Sequence, residues 1–416
     1  MPILIRPQAA PGLGRSDLRY LNVIGWLIVT ALYTIIFQRS LRPDQERDFV
    51  YFYSFGYIFN HHPVAHLYDY QLQTQVCAQL QPMHDGAYGP NPYPPFVAAV
   101  FSLIARLPYL AAYKLWMAVT LTLYLGGTGL LVSRFFPRDR LKQSLVLCYA
   151  LLFWPFAART FLNGQIAAVG LFAMALAVFY EDASASFSSG LALSICLYKP
   201  TFLILILPVL VIIRRFRTLA GFATGAAGLI SLTTILLGPG VWLAYARMLS
   251  GLAAFRPHLH FDDHVDLYSF SVLIAHGAPV VQFLGVCVAA VAVAYLLRAS
   301  WLQRIPAQSG SASLLWAATL SWTLLLNVYV PIQDSILVLV SLIASAPQLW
   351  RMRRRVFLLT CAALLLVAPF SGFVAAETGF QMLTLVLGTL AFLQTRLLTD
   401  GAVSCQAVSE SQNWQN

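Results

Sequence analysis

An acid followed by a row of aromatics opens the first long polar stretch of this chain. Arg47-Asp48-Phe49 leads into Tyr51, Phe52, Tyr53, Phe55, Tyr57 and Phe59. Rings with polar tips suit the membrane–water interface, so one reading is an interfacial helix with Asp48 as its solvated first residue. The other is a general base held where a lipid-linked substrate would present its reactive head. An Asp with an ordinary pKa of roughly 3.9 is ionised at neutral pH and able to accept a proton.

Other chemistry-bearing residues recur along the chain. Tyr68-Asp69 and Tyr93-Pro94-Pro95 share the same stretch, and a proline pair also marks a helix start, because Pro fits the first helical turn. Arg159 beside Asn163-Gly164-Gln165 offers planar donors suited to phosphate, against the plainer reading of a snorkelling Arg and a glycine turn. Lys199-Pro200 interrupts an apolar region. A charge at that depth costs on the order of 2.5–3.5 kcal/mol on insertion scales, so Lys199 should face a cavity or an anion such as a lipid phosphate. Asn327-Val-Tyr329-Val-Pro331-Ile-Gln-Asp334 sets an acid between two further runs. The run His258-Leu-His-Phe-Asp-Asp-His264 has no metal-ligand spacing, and no metal is assigned. No phosphate-cradling glycine loop or nucleophile elbow occurs, so neither a nucleotide-driven mechanism nor a cofactor is expected.

The elements that position these residues are apolar helices. Hydrophobic residues make up 59% of the chain, charged residues 10%, and the mean hydropathy is +0.71. A soluble domain carries about a quarter charged residues, so the class is an all-α, polytopic transmembrane helical bundle. About twelve apolar runs lie between residues 20 and 397, several shorter than the roughly 20 residues needed to span a bilayer. The net charge of +10 is spread over short clusters between runs rather than one stripe, which argues for membrane topology and against nucleic acid. Arg134/Arg138/Arg140/Lys142, Arg214/Arg215/Arg217, Arg298/Arg304 and Arg351/Arg353/Arg354/Arg355 then mark the cytoplasmic side of a plasma-membrane protein with both termini inside.

This assignment requires residues 93–107 to dip into the outer leaflet instead of crossing. It puts His61, His62, His66, His84, His258, His260, His264 and His276 outside, together with most of the acids. Polar, titratable chemistry is then expected on the extracytoplasmic face. A second outer loop is expected over residues 238–279, and residues 401–416 read as a polar, disordered cytoplasmic tail.

Taken in order, these pieces resemble glycosyltransferase family 87. The resemblance rests on Asp48 before an aromatic helix, Leu67-Tyr68-Asp69, Tyr93-Pro94-Pro95-Phe96, Leu107-Pro108 ahead of Leu115-Trp116, Asn163-Gly164-Gln165, and Lys199-Pro200-Thr201 before Arg214-Arg215. It is densest over residues 20–240. It implies a GT-C-type catalytic module over residues 1–237, a more variable bundle over 238–400, and Asp48 as the catalytic base. It further implies a polyprenyl-phosphate-sugar donor, most often mannose, a glycan or glycolipid acceptor, and inversion at the anomeric carbon. The motif near 327–334 departs from the family pattern, because Val-Pro-Ile-Gln separates Tyr329 from Asp334.

On this reading Lys199 and Arg159 steady the departing phosphate, with Gln165, Tyr68, Asp69, Tyr93 and Asp334 completing the substrate-binding set. The competing reading is a transporter or flippase of a lipid-linked sugar, with Lys199 and the broken helices around Pro200 lining its path. A non-catalytic assembly subunit would tolerate replacement of Asp48 and Lys199.

Overall fold

The computed structural model describes residues 15–42, 47–81, 89–252, 260–275, 278–302, 311–327 and 329–413. His84, His258 and His276 fall outside these ranges. The chain begins with α1 (Arg15–Ser40), followed by the short helices α2 (Phe49–His61), α3 (Tyr70–Leu80) and α4 (Pro95–Ile104), and then the long α5 (Tyr109–Phe135). Next come α6 (Arg140–Leu152), α7 (Ala167–Asp182), α8 (Ser186–Ser194), α9 (Ile206–Ile212), α10 (Phe216–Leu237) and α11 (Gly240–Gly251). The last third contains α12 (Leu267–Ala275), α13 (Pro279–Leu302), α14 (Ser311–Leu325), α15 (Val338–Val367), α16 (Ser371–Thr378) and α17 (Met382–Asn413). Backbone helix in α17 thus continues through most of the segment read from sequence as a tail.

This is an all-α, polytopic membrane protein. Among the described residues six helices are long and apolar enough to cross a membrane, or seven if α6 and the bent segment after it form one span. Fewer helices can cross alone than the about twelve hydropathy runs imply, because several runs are broken. Pro200 divides one region into two short helical pieces. Within α15, Arg353 has non-helical φ −142° and ψ 43° inside the basic cluster, so two packed segments meet at a break there. The stretch at 93–107 yields only α4, ten residues long. At 1.5 Å per residue that is about 15 Å, half a bilayer core.

α5 defines two polar ends. Near its start Tyr113 and Trp116 donate to the carbonyls of Leu162 and Gly164; near its end Arg134 pairs with Asp182 at 2.6 Å. Its 27 residues separate these ends by about 40 Å. Arg215 and Glu181, 3.3 Å apart, join the second end. Between the ends the buried centre includes Leu171, Ala173, Met174, Ala175 and Ala177 of α7 and Val338, Leu339 and Val340 of α15. By contrast only 11% of the apolar window of α10, and 11% of that of α13, is covered by protein. Such wide apolar exposure is tolerated because lipid is the solvent there.

Small residues allow the helices to approach closely. A Cβ on Gly190 of α8 would overlap the Thr218 carbonyl of α10, and one on Gly221 would overlap the Phe187 carbonyl. Close backbone approach substitutes for a hydrophobic driving force inside the bilayer. Gly190→Leu is expected to lose about 1–3 kcal/mol through overpacking and to lower the thermal midpoint measured in detergent. Gly228→Leu, with open space around its would-be Cβ, should leave the midpoint unchanged.

Candidate active site

Asp48 sits at the entrance of α2, yet its carboxylate makes no capping bond to that helix. It accepts instead from Gln165 Nε2 at 2.9 Å. The solvated-cap reading therefore does not describe it. Its position is fixed by the Asn163-Gly164-Gln165 turn, because the Phe49 N–H donates to the Asn163 carbonyl at 2.9 Å. Gly164 has φ +73°, and a Cβ there would lie 2.7 Å from Phe49 Cβ. Only glycine meets both demands without strain. Arg47 anchors the other side, donating to the Ser40 carbonyl and lying 4.5 Å over the Tyr113 ring. Burial raises the Asp48 pKa above the ordinary value of 3.8, while the Gln165 bond, the Arg159 charge and Asn163 oppose the rise.

The turn follows a break in a helix. After α6 the chain bends by 58° into the segment Pro155–Leu162, whose turns are wider than those of an α-helix. Gln165 N–H closes onto the Thr160 carbonyl, five residues back, at 2.9 Å. Wide turns of this kind re-aim side chains and recur at functional sites. Here the bend carries Arg159, whose guanidinium donates to Asp263 at 2.6 Å. Burial and the neighbouring Asp262 and Asp48 charges push the Asp263 carboxyl up to about 6, against the pull of Arg159.

A second pair lies beside the first. Because Lys199 precedes Pro200, it is driven from helical geometry and adopts φ −138° and ψ 81° between two single-turn helices. Its ammonium forms an ion pair with Asp334, with both side chains largely buried. Asp334 is carried by the turn at Ile332–Leu337, which starts after the extended Pro331. Lys199 Nζ also lies 4.8 Å over the Tyr329 ring. Tyr329 ties the two pairs together electrostatically, since the charges of Asp334, Asp48 and Asp263 all act on its hydroxyl, and those of Asp334 and Asp48 also act on Tyr93.

Tyr68 and Asp69 each have partners within the protein. The Tyr68 hydroxyl donates to the Tyr93 carbonyl at 2.8 Å, and Asp69 accepts the Gln71 and Leu72 N–H groups as the cap of α3. Gln73 and Asn91 extend this scaffold, the Asn91 N–H donating to Gln73 Oε1 and the Asn91 side chain donating to the Tyr51 carbonyl. These residues position Tyr93.

Sequence reasoning missed Asp263 and His264 as members of the site. His264 is buried and packs against Tyr329 with ring centroids 4.7 Å apart. Its Nδ1 faces the His260 carbonyl at 2.7 Å, and burial lowers its pKa. An antiparallel bridge from His264 to Pro331 and the Val265 N–H bond to Val330 O bring the two loops together. Asp266 accepts the Ser269 and Val330 N–H groups, completing the junction. The acidic His-rich run thus divides between an ion pair, a ring contact and a cap. Among the described residues no three His, Cys, Asp or Glu side chains converge as metal ligands.

The family model for glycosyltransferase family 87 matches residues 91–330. The chain belongs to glycosyltransferase family 87. It is a membrane-embedded glycosyltransferase. The match starts after Asp48 and ends before Asp334, spanning Tyr93, Arg159, Gln165, Lys199, Asp263, His264 and Tyr329. It therefore runs further towards the C-terminus than the 20–240 span in which the sequence resemblance is densest. No curated protein and no solved structure matches this family 87 chain.

The site of this family 87 enzyme draws on both sides of residue 237, since Asp263 and Asp334 meet cations from the first half. Two substitutions test how Asp48 is held. Gln165→Ala removes a bond that lowers the Asp48 pKa, so the acid limb of the kcat/KM profile for sugar transfer should move to higher pH. Gly164→Ala should reduce kcat by about tenfold or more, since a displacement near 1 Å costs on the order of 10²-fold where geometry is exacting. Single-turnover rates on folded protein read this effect.

Proposed function

We propose that this glycosyltransferase moves a hexose, mannose in the first instance, from a polyprenyl-phosphate donor to a glycan or glycolipid hydroxyl on the extracytoplasmic side of the plasma membrane. The arrangement is of the GT-C type and the reaction inverts the anomeric centre. The acceptor oxygen attacks the anomeric carbon as the bond from that carbon to the phosphate oxygen breaks. The leaving electron pair stays on the lipid phosphate, and the acceptor proton passes to Asp48. Energy comes from the sugar–phosphate bond, so no nucleotide takes part.

The observation that carries this reading is the grouping of one hydrogen-bonded acid, Asp48, with two cations held by their own acids at one end of the bundle. Burial raises the Asp48 pKa, which makes its carboxylate a stronger base than that of a surface Asp, while the Gln165 bond and the Arg159 charge favour its ionised form. Arg159 and Lys199 are preorganised: each is fixed by a carboxylate before substrate arrives, so stabilising the departing phosphate needs little rearrangement. Tyr93 and Tyr329 supply ring faces and hydroxyls suited to a sugar between them. Sidedness rests on the basic clusters of the opposite end and the positive-inside rule.

Asp48→Asn should reduce transfer from radiolabelled polyprenyl-phosphate-mannose in proteoliposomes by about 10²–10⁴-fold. Full turnover by folded, inserted Asp48→Asn protein would overturn the base assignment. Lys199→Met alone should destabilise the fold by about 3–5 kcal/mol, because it strands a buried Asp334. Lys199→Met with Asp334→Leu should recover most of that stability while keeping an elevated KM for the donor. A double variant with the ordinary donor KM would remove Lys199 from phosphate recognition.

A further inference from the structure

The end of the molecule remote from Asp48 has an apolar cleft of about 530 Å³, within the range of ligand pockets at about 300–1,000 Å³. It opens where the first turns of α1, the turn between α5 and α6, and the middle of α15 meet. Leu18, Val146, Leu342, Ile343, Ala346 and Phe357 supply its walls. Leu18 lies near the start of α1 while Asp48 follows its end, and the helix from Leu18 to Ser40 runs about 33 Å between them. The cleft is therefore distinct from the site of sugar transfer.

The rim of the cleft carries charge of one dominant sign. Lys142 of α6 and Arg351 of α15 both line it, and Arg15 of α1 is close enough to act on Asp139 electrostatically. Asp139 is the acid among the lining residues and is matched already by Lys142 at 2.8 Å. Arg354 lies 4.4 Å over the Trp350 ring, one turn along α15 from Arg351. Cations from α6 and α15 thus line a cleft whose walls are almost wholly hydrocarbon, with Arg15 of α1 near Asp139. That combination matches an amphiphile with an apolar chain and an anionic head.

We infer that this cleft holds one anionic glycerophospholipid, with an acyl chain between α1, α6 and α15 and the headgroup phosphate against Lys142 and Arg351. The lipid fills space that protein side chains leave open at a junction of three helices. The bound lipid stiffens that junction. Neither donor nor acceptor takes part, and the inference stands independently of the sugar-transfer reading.

Full-length protein purified in detergent is compared with phosphatidylglycerol and with phosphatidylcholine of the same acyl chains. Native mass spectrometry counts retained lipid, and the thermal midpoint reports its effect. One phosphatidylglycerol per chain, retained at least tenfold better than phosphatidylcholine and raising the midpoint, is expected. K142Q/R351Q should abolish the preference while keeping the lipid-free midpoint of the parent. Ala346→Phe, which fills the cleft, should abolish retention of either lipid. Equal retention of both lipids by the parent would overturn the inference, as would undiminished binding by Ala346→Phe. Preferential retention of polyprenyl phosphate, or a dimer that Ala346→Phe dissociates, would assign the cleft to a different occupant and equally overturn it.

Discussion

Buried charges at the edge of a lipid-embedded bundle persist only when each meets an opposite charge or a set of hydrogen-bond donors, and this constraint organises the structure. Arg159 faces Asp263 and Lys199 faces Asp334, across sequence separations of 104 and 135 residues. Leaving any of these groups unpaired in a poorly hydrated setting would be costly. The pairs therefore act as bolts between the first half of the chain and the second. They hold the loop around residue 263 and the turn around residue 334 against the bend after α6 and the break at Lys199.

The pairing also bears on the chemistry. A cation already held by a carboxylate has lost its freedom before substrate arrives, so less ordering remains at the moment of bond breaking. The same acids limit the positive potential of the site. With Asp48 and its neighbour Arg47 added, the acids Asp48, Asp263 and Asp334 are matched in number by the cations Arg47, Arg159 and Lys199. Asp263, pushed up to about 6 by burial and its acidic neighbours, binds a proton more readily than a surface carboxylate. The charge of this cluster is thus adjustable near neutral pH.

Backbone irregularities do most of the positioning. The wide turn at Pro155–Leu162, the left-handed Gly164, the extended Lys199 before Pro200 and the Pro331 entry to the Asp334 turn each replace regular helix. Non-helical backbone within a membrane protein is tolerated where protein or a water-lined surface can satisfy it. Here the freed groups are indeed reused, as in the Trp116 indole bond to the Gly164 carbonyl and the Phe49 bond to Asn163. The long helices give the enzyme its place in the membrane, and these breaks give it a site.

The sequence by itself determined the class, the all-helical character, the two kinds of end and the suspicion attached to Asp48, Arg159 and Lys199. Those follow from composition, apolar run length and the local cost of a charge, all of which are written in contiguous residues. It also marked Gln165 and Tyr93, though only the tertiary structure decided that Gln165 binds Asp48, that Tyr68 donates to the Tyr93 carbonyl and that Asp69 caps α3. Asp263 and His264 read as part of a solvated His-rich loop because nothing nearby in sequence reveals a partner. Their roles depend on loops that meet only after the helices between them pack, and pairing over more than a hundred residues leaves no local periodicity to read.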